Sequence, residues 1–507
     1  MIGALFLFVP LFYIARFYLR LKNYPPGPIP LPLVGNLFQL LVGSLRGKAI
    51  PDLLLEWKKT YGNVVTMWLG PLATVCVLDY ELAMNTYVKN GDLFVSRQNI
   101  PVLEILREGM GIVFSEGDLW VEQRRFALHT LRDYGLGRNV MQEKILSEYH
   151  KRMDPLDAEI EKNGGKLKID PKHKFVELLV GSLINRMLVG YSFDETNMDE
   201  FLGIRRRIHE ANENSTLFDL VLLRPEFRNV PFIKYRFDTF MKSHQSTMGF
   251  AKKQIAVRQT DIKNGKYILD EVVGPKDFID AFLMEMRRRE KNSEDIGSFN
   301  EKQLCYAILD LWQAGMETTI VTLLWGFLYL MKNPKVQEKM RKELVAVCGK
   351  DRDVELDDRQ LLPYCNAAMT EIHRATSLLS LNVMRRNTQE TTIGGYSIPK
   401  GTDNAVIMSV LFKDGEIFKN PQHFNPDRYL EEGGKELEKK VIPFGIGKRS
   451  CLGEGLARAE LFLILFNIIK NYRIIDDNTV PDEYLQTSSN QFSRIPCGYE
   501  CIFEKVH

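Results

Sequence analysis

The chain has 507 residues, 45% of them hydrophobic and 26% charged, with a formal net charge of +2. That length suits one large domain or two or three smaller ones, and the near-balanced charge lacks the basic excess of a nucleic-acid surface, so no nucleic-acid partner is expected. Seven cysteines, at 76, 305, 348, 365, 451, 497 and 501, are scattered and odd in number, which argues against a secreted disulfide framework and suits a reducing compartment.

Residues 2–15 are apolar and uncharged, and the run reaches Leu19 if Arg16 is tolerated. This is the short edge of a membrane span. Arg16, Arg20 and Lys22 follow, so the positive flank belongs on the cytosolic side. A cleaved signal peptide is the rival reading. The exit, Arg-Phe-Tyr-Leu-Arg, contains no small-x-small cleavage site, which favours an uncleaved anchor over 1–22. A buried core helix is a third reading, but this segment precedes the core pattern. Residues 23–36 carry closely spaced prolines from Pro25 to Pro32, which enforce an extended, stiff hinge.

In the body, 64–77 mixes β-branched and aromatic residues on either side of Gly70-Pro71, which predicts a hairpin. The stretch 391–410 reads similarly, with Gly394-Gly395 and Pro399-Lys400-Gly401 as turns. Most of the rest is helical in character, and no repeat of fixed period is present. Gly117 opens a helix in which Trp120 and Arg124 share a face. They are either a packed indole beside a solvated cation or two donors for a carboxylate. Asn214-Ser215-Thr216 is a glycosylation sequon in form only, since a cytosolic body does not meet that machinery.

The polar stretch 287–300 reads as a loop. Residues 299–332 form the longest helical pattern, opened by a Ser298/Glu301 capping box and closed by Asn333-Pro334. At about 1.5 Å per residue, roughly 35 residues cross a whole domain. Ala314-Gly315-Met316-Glu317-Thr318-Thr319, in its middle, is poor helix material. It is a soft spot in a core helix, or a place where the Thr318 hydroxyl disturbs the backbone ladder and orders water. Glu371 and Arg374, three apart, read alone as a surface ion pair.

Residues 443–453 hold one cysteine, three glycines and two cations, and run into an apolar helical segment over 454–468. A cysteine just ahead of a helix meets unpaired N–H groups and the positive dipole end, which favours thiolate. Lys448 and Arg449 push the same way and could hold an anionic cofactor edge. Cys451 is then an inert buried thiol, a nucleophile or a metal ligand. A nucleophile needs a nearby base, and the segment has no histidine. A zinc site needs several close partners, and none is present. A lone thiolate suits haem iron, which brings its other ligands with it.

The string Phe444-x-x-Gly447-x-Arg449-x-Cys451-x-Gly453, followed by Glu454, Leu456-Ala457-Arg458 and Glu460-Leu461, resembles the haem-binding signature of the cytochrome P-450 family, the haem-thiolate monooxygenases, and their microsomal drug- and steroid-metabolising branch in particular. The resemblance runs from about residue 25 to the end. It implies a single large domain over 37–507, mainly α with small β sheets, behind a membrane anchor at 1–22 and a hinge at 23–36. It implies haem b as cofactor, with Cys451 as the metal ligand whose electron donation favours O–O cleavage. Phe444, Arg449 and Gly453 belong to the haem loop. Trp120, Arg124, Arg97 and Arg385 are the implied propionate contacts. Arg386 is the alternative to Arg385, because Met384 stands where the family usually has proline.

On the oxygen side the resemblance implies that Ala314 and Gly315 leave room over the iron, while Glu317 and Thr318 deliver protons. Glu371, Arg374 and Arg428 form a buried network that holds the cysteine loop. The implied pocket draws on Val102, Val113, Phe114, Asp310, Ala314, Leu379, Val383 and Phe492, a mostly apolar lining for a hydrophobic small molecule, xenobiotic, fatty acid or steroid-like. Asp310 meets a cationic or hydroxylated group there, or points elsewhere. The reaction implied places one atom of O2 in the substrate. No Gly-x-Gly-x-x-Gly fingerprint is present, so electrons come from a partner. The resemblance implies the NADPH-dependent flavoprotein reductase, with a small haem-containing electron carrier as a second candidate. Arg125, Arg132, Lys439, Lys440 and Lys448 steer that acidic partner or are ordinary solvated surface. The implied location is the endoplasmic reticulum membrane, with the body in the cytosol. Two other readings stay open. One is a haem-binding protein without oxygenation, against which Glu317 and Thr318 speak. The other is an isomerase or dehydratase of the same fold, whose members tend to lose the threonine.

Overall fold

The computed structural model describes residues 2–133, 139–194, 196–214, 219, 223–485 and 493–506. Phe492 and the sequon residues Ser215 and Thr216 lie outside them. Helix α1 (Ile2–Leu21) opens the chain. Its last turns dock on the body: Phe17 is 5% exposed and meets Trp68 edge-on, with 5.3 Å between ring centroids, and the Arg20 guanidinium lies over the same indole. The proline segment is laid on the sheet. A proline has no N–H to donate, but its carbonyl still accepts. The Pro25 and Pro26 carbonyls take the Thr66 hydroxyl at 2.8 Å and amide at 3.0 Å, and the Pro28 carbonyl takes the Asn36 amide at 3.1 Å. The stiff spacer expected at 23–36 is thus a strap bonded along β1.

After α2 (Leu37–Leu45) and α3 (Ile50–Tyr61), strands β1 (Val64–Leu69) and β2 (Leu72–Val77) form the expected hairpin around Gly70-Pro71. Short α4 (Tyr80–Met84), β3 (Ser96–Arg97) and α5 (Pro101–Arg107) follow. The 391–410 stretch does not stay in one sheet. β6 (Thr391–Ile393) and β7 (Tyr396–Ile398) pair only with each other. β8 (Asp403–Val406) joins β2 in parallel and carries β5 (Arg385–Arg386) on its other side, giving the order β1-β2-β8-β5-β3. Residues 408–413 turn helical, as α15 below. A second sheet has the order β4 (Lys166–Ile169), β10 (Cys501–Lys505), β9 (Tyr472–Ile475).

The helical body comprises α6 (Gly117–Asp133), α7 (Asn139–Lys162), α8 (Glu177–Val189), α9 (Met198–Asn214), α10 (Pro231–Lys263), α11 (Phe278–Lys291), α12 (Glu301–Lys332), α13 (Pro334–Cys348), α14 (Pro363–Thr376), α15 (Met408–Lys413), α16 (Gly434–Lys439) and α17 (Glu454–Asn471). α11 runs past Arg287, where a loop was expected. Arg288 and Arg289, three and four residues after Glu285, both pair with it at 2.8 Å and carry the helix on. α12 is long and apolar enough to cross a membrane, and 78% of its most apolar window is buried. A helix apolar all round belongs in a core, and α12 packs against α8, α10, α14 and α17. Its cap is Asn300, whose side chain accepts from the Gln303 N–H, and not Ser298, whose hydroxyl bonds Glu122 and Gln123.

Candidate active site

The loop before α17 is a tight structure that only glycine permits at two points. Gly445 and Gly447 have φ of +72° and +70°. A Cβ on Gly447 would stand 1.9 Å from the Tyr87 carbonyl oxygen. The Cys451 N–H donates to the Phe444 carbonyl at 2.8 Å and Ser450 N–H to Gly447 at 2.9 Å, so the loop closes on itself and aims the thiol into a cavity of about 590 Å³. Phe444, Arg449 and Gly453 line that cavity with it. Across from them is the middle of α12, with Ala314, Gly315, Glu317 and Thr318. Cys451 is the one thiol among the described residues that lines the cavity.

The Cys451 side chain is exposed to the cavity; the surrounding protein pushes its thiol up, and the Gly453 N–H and the Arg124 charge pull it down. The cations named from sequence do little. Lys448 pairs with Asp92 at the surface, and Arg449 donates to the carbonyls of Val95 and Ser115, each at 2.7 Å.

Four guanidiniums are gathered at one side of the cavity. Arg97 donates to the carbonyls of Val113 and Val383, Arg124 to Ser450, and Arg385 to Ile446. The Arg449 guanidinium stacks over the Trp120 ring at 3.8 Å, closer than Arg124 at 5.9 Å, and its Nη1 is buried without a partner. Burial, then mutual repulsion, pushes Arg97 down to about 9 and Arg449 down to about 8; Arg385 and Arg124 are lowered, each chiefly by burial. Glu116, the acid nearest this group, is exposed and pairs with Arg386, which stands outside the cavity. Buried cations with no carboxylate among them need an anion.

On α12, the Thr318 hydroxyl donates to the Ala314 carbonyl at 2.7 Å, one turn back. Gly315 lines the cavity and also packs closely: a Cβ there would meet Ile184 of α8 at 2.8 Å. Glu317 is tied to Arg205 of α9, and the same guanidinium holds Glu177 of α8. Sequence reasoning missed Arg205, one of three consecutive arginines on an amphipathic helix with nothing local to mark it.

The pocket residues divide. Val113, Phe114, Leu379 and Val383 line the cavity. Val102 does not; it is buried with Leu106, Leu223 and Phe237 in a separate cluster. Asp310 lines the cavity, but its carboxylate is already engaged by protein groups. It pairs with Arg107 and accepts from the Ile112 and Val113 N–H groups at 2.7 and 3.0 Å. Behind the cysteine loop, Glu371 takes both Arg374 and, at 3.4 Å, Arg428. Tyr429, which the sequence did not single out, donates its hydroxyl to Glu371 at 2.8 Å.

The cytochrome P450 family model matches residues 25–503. The chain belongs to the cytochrome P450 family. It is 37% identical to the probable cytochrome P450 cyp-35D1 of Caenorhabditis elegans, over 92% of each chain. It is 33% identical to cytochrome P450 2H1 of Gallus gallus, over 94% of this chain and 93% of that one, and 32% identical to cytochrome P450 2B2 of Rattus norvegicus, over 95% and 94%. The protein is accordingly a haem-thiolate monooxygenase that uses O2 and a redox partner. Its residues fit that group. A P450 haem takes a cysteine thiolate as ligand and carries two propionates. The cavity offers one thiol and a cluster of buried guanidiniums that lacks its counter-ion, including an orphaned N–H of Arg449.

Proposed function

We propose that this P450 oxidises hydrophobic small molecules, xenobiotic, fatty acid or steroid-like, with electrons from NADPH delivered by a flavoprotein reductase. The observation that carries the reading is the cavity wall. Val113, Phe114, Ile184, Leu379 and Val383 give it apolar surface, and two of its acids, Asp310 and Glu317, are already paired with Arg107 and Arg205. The group to be bound is haem b. It supplies the activation of O2, with one atom going to substrate and the other to water.

The protein's part is ligation, anchoring and proton handling. Cys451 would supply the sulfur that ligates the iron. Arg97, Arg124, Arg385 and Arg449 would hold the propionates, and Trp120 would keep the Arg449 plane in place. Thr318 presents a hydroxyl whose proton is engaged by the Ala314 carbonyl, leaving its lone pairs for water. Glu317 holds or releases a proton at its carboxylate, under the control of Arg205. Glu371, Arg374, Arg428 and Tyr429 keep the loop rigid.

The reductase would dock on exposed cations. Arg125, Arg132, Lys439 and Lys448 are exposed and Lys440 is half-buried. Lys439 and Lys448 are offset by Glu436 and Asp92, which leaves Arg125 and Arg132 as the stronger steering charges. The enzyme sits on the endoplasmic reticulum membrane. α1 has 20 residues, about 30 Å at 1.5 Å each, the thickness of a hydrocarbon core.

The test is a panel of apolar candidates read by spin-state shift, then turnover with reductase and NADPH, with products weighed. Products heavier by one oxygen atom, formed only with reductase, are expected. Turnover on peroxides alone, or mass changes other than one oxygen across all hits, would sink the proposal.

A further inference from the structure

Glu460 is an acid that nothing above employs. It stands on α17, nine residues beyond Cys451, is 1% exposed, and lines the same cavity. One carboxyl oxygen takes the Thr319 hydroxyl of α12 at 3.2 Å, and the other, Oε1, is buried with no partner. The elements packed on α17, chiefly α7, α12, α13 and β9, bring no cation and no second acid to this carboxyl. The other titratable groups lining the cavity are Asp310, Glu317, His373 and Cys451, with Arg107 and the four guanidiniums described above, and none of them bonds Glu460. A buried carboxylate with one hydroxyl for company is costly to keep ionised. A leucine would fill the position without that cost. The acid lines the cavity that also holds Cys451, on the helix that follows the cysteine loop and in contact with the helix that carries Thr318.

We propose that Glu460 is a redox-linked proton site: when the haem iron gains an electron from the redox partner, the Glu460 carboxylate takes up one proton from solvent and becomes a carboxylic acid. The added negative charge on the iron is balanced by the proton, with no other reactant. The inference rests on the haem-thiolate reading. Burial holds the Glu460 carboxyl up at about 8, with the Thr319 hydroxyl pulling slightly the other way. Below that pH the acid is already protonated and uptake stops. Above it, uptake begins and continues until the higher value of the reduced state is passed.

The experiment is potentiometric titration of the intact haem-loaded protein at a series of pH values, with the carbon monoxide spectrum of each reduced sample taken alongside. The expected wild-type midpoint potential is level up to about pH 8 and then falls toward a slope of about 59 mV per pH unit, one proton per electron. Glu460→Gln levels the curve. Thr319→Val removes the hydroxyl that favours the ionised form, so the bend moves to higher pH; this second variant carries the test if the first does not fold. A wild-type potential level through about pH 9.5, a Glu460→Gln slope equal to the wild type's, or a bend that Thr319→Val leaves in place overturns the inference. The spectrum separates this from the parent reading: a thiolate-type band with a level potential removes Glu460 alone, whereas a histidine-type band removes the thiolate.

Discussion

Arg374 donates two parallel hydrogen bonds, each 2.8 Å, to the two oxygens of Glu371, and neither side chain is more than 2% exposed. The pair does not stand alone. Arg374 also donates to the Phe412 carbonyl, Arg428 to the carbonyls of Lys419 and His423, and Tyr429 to Glu371. A planar fork meeting a carboxylate is the strongest form of the contact. Removing one partner leaves the other charged and buried with weaker company, Arg428 at 3.4 Å for Glu371 and a carbonyl for Arg374, which costs up to about 3–5 kcal/mol. Glu371→Gln and Arg374→Met are therefore expected to yield protein that binds little haem and melts well below the wild type. Arg374→Lys should do nearly as badly, because a lysine cannot make both bonds. A melting temperature and haem content close to wild type in Arg374→Lys would refute the role given to the fork.

Arg205 ties Glu317 to Glu177, so the acid beside Thr318 is held from α9 and not from its own helix. In Arg205→Met, Glu317 loses the one cation paired with it among the described residues, while Glu177 keeps Lys172 at 3.7 Å. A loss of up to about 3 kcal/mol is expected, since the group is only partly buried. The fraction of NADPH that ends in product should fall as well, because Glu317 is no longer fixed. Glu317→Gln can still accept from the guanidinium, so it should lose coupling with little loss of stability. The measurements are thermal melting and the ratio of product formed to NADPH consumed. If Arg205→Met leaves that ratio unchanged, Arg205 has no hold on proton delivery.

How far these features could be read in advance depended on whether their causes were local. Gly70-Pro71 between β-branched runs is a complete hairpin instruction, and Asn333-Pro334 a complete helix stop, so both boundaries were legible. The cap of α12 was misread because Ser298 and Asn300 are both good acceptors, and the choice is made by Glu122 and Gln123, some 175 residues away. The exclusion of Val102 is imposed by Leu223 and Phe237, and the engagement of Asp310 by Arg107, 203 residues earlier. The cysteine loop was legible because its glycines, its thiol and the helix behind it are contiguous. The four guanidiniums come from β3, α6, β5 and the cysteine loop, so no local spacing gathers them; the family resemblance named all four as contacts for an anionic cofactor edge, and the cavity they share adds that no carboxylate lies among them.

Asp310 faces the cavity, yet its charge is spent on Arg107 and on two backbone N–H groups of the segment after α5. It positions that segment and does not recognise cations. Asp310→Asn should weaken the binding of a cationic ligand and of its neutral isostere by the same factor, as the segment loosens. Spin-state titrations of such a matched pair check this. A loss confined to the cationic member would restore Asp310 as a direct substrate contact.

His373 gives the protein an acid-sensitive point inside its core. The ring is 7% exposed, packs edge-on against Phe444 of the cysteine loop, and leaves Nε2 without a partner. Burial first, then the charges of Arg458 and Arg359, hold its imidazole down at about 3, from an ordinary 6.5. The neutral ring's contribution is fully present above pH 6.5. As the pH falls below that, the unfolded chain binds a proton that the folded one refuses, so stability drops steadily toward pH 3. At roughly 1.4 kcal/mol per pH unit across that window, the total is on the order of a few kcal/mol. His373→Gln keeps a polar side chain that does not titrate. It is expected to lose less stability than the wild type between neutral pH and pH 4, so the two unfolding curves should converge as the pH drops. Denaturant unfolding at matched pH values makes the comparison, and curves that stay parallel would show that the ring is protonated in the folded protein.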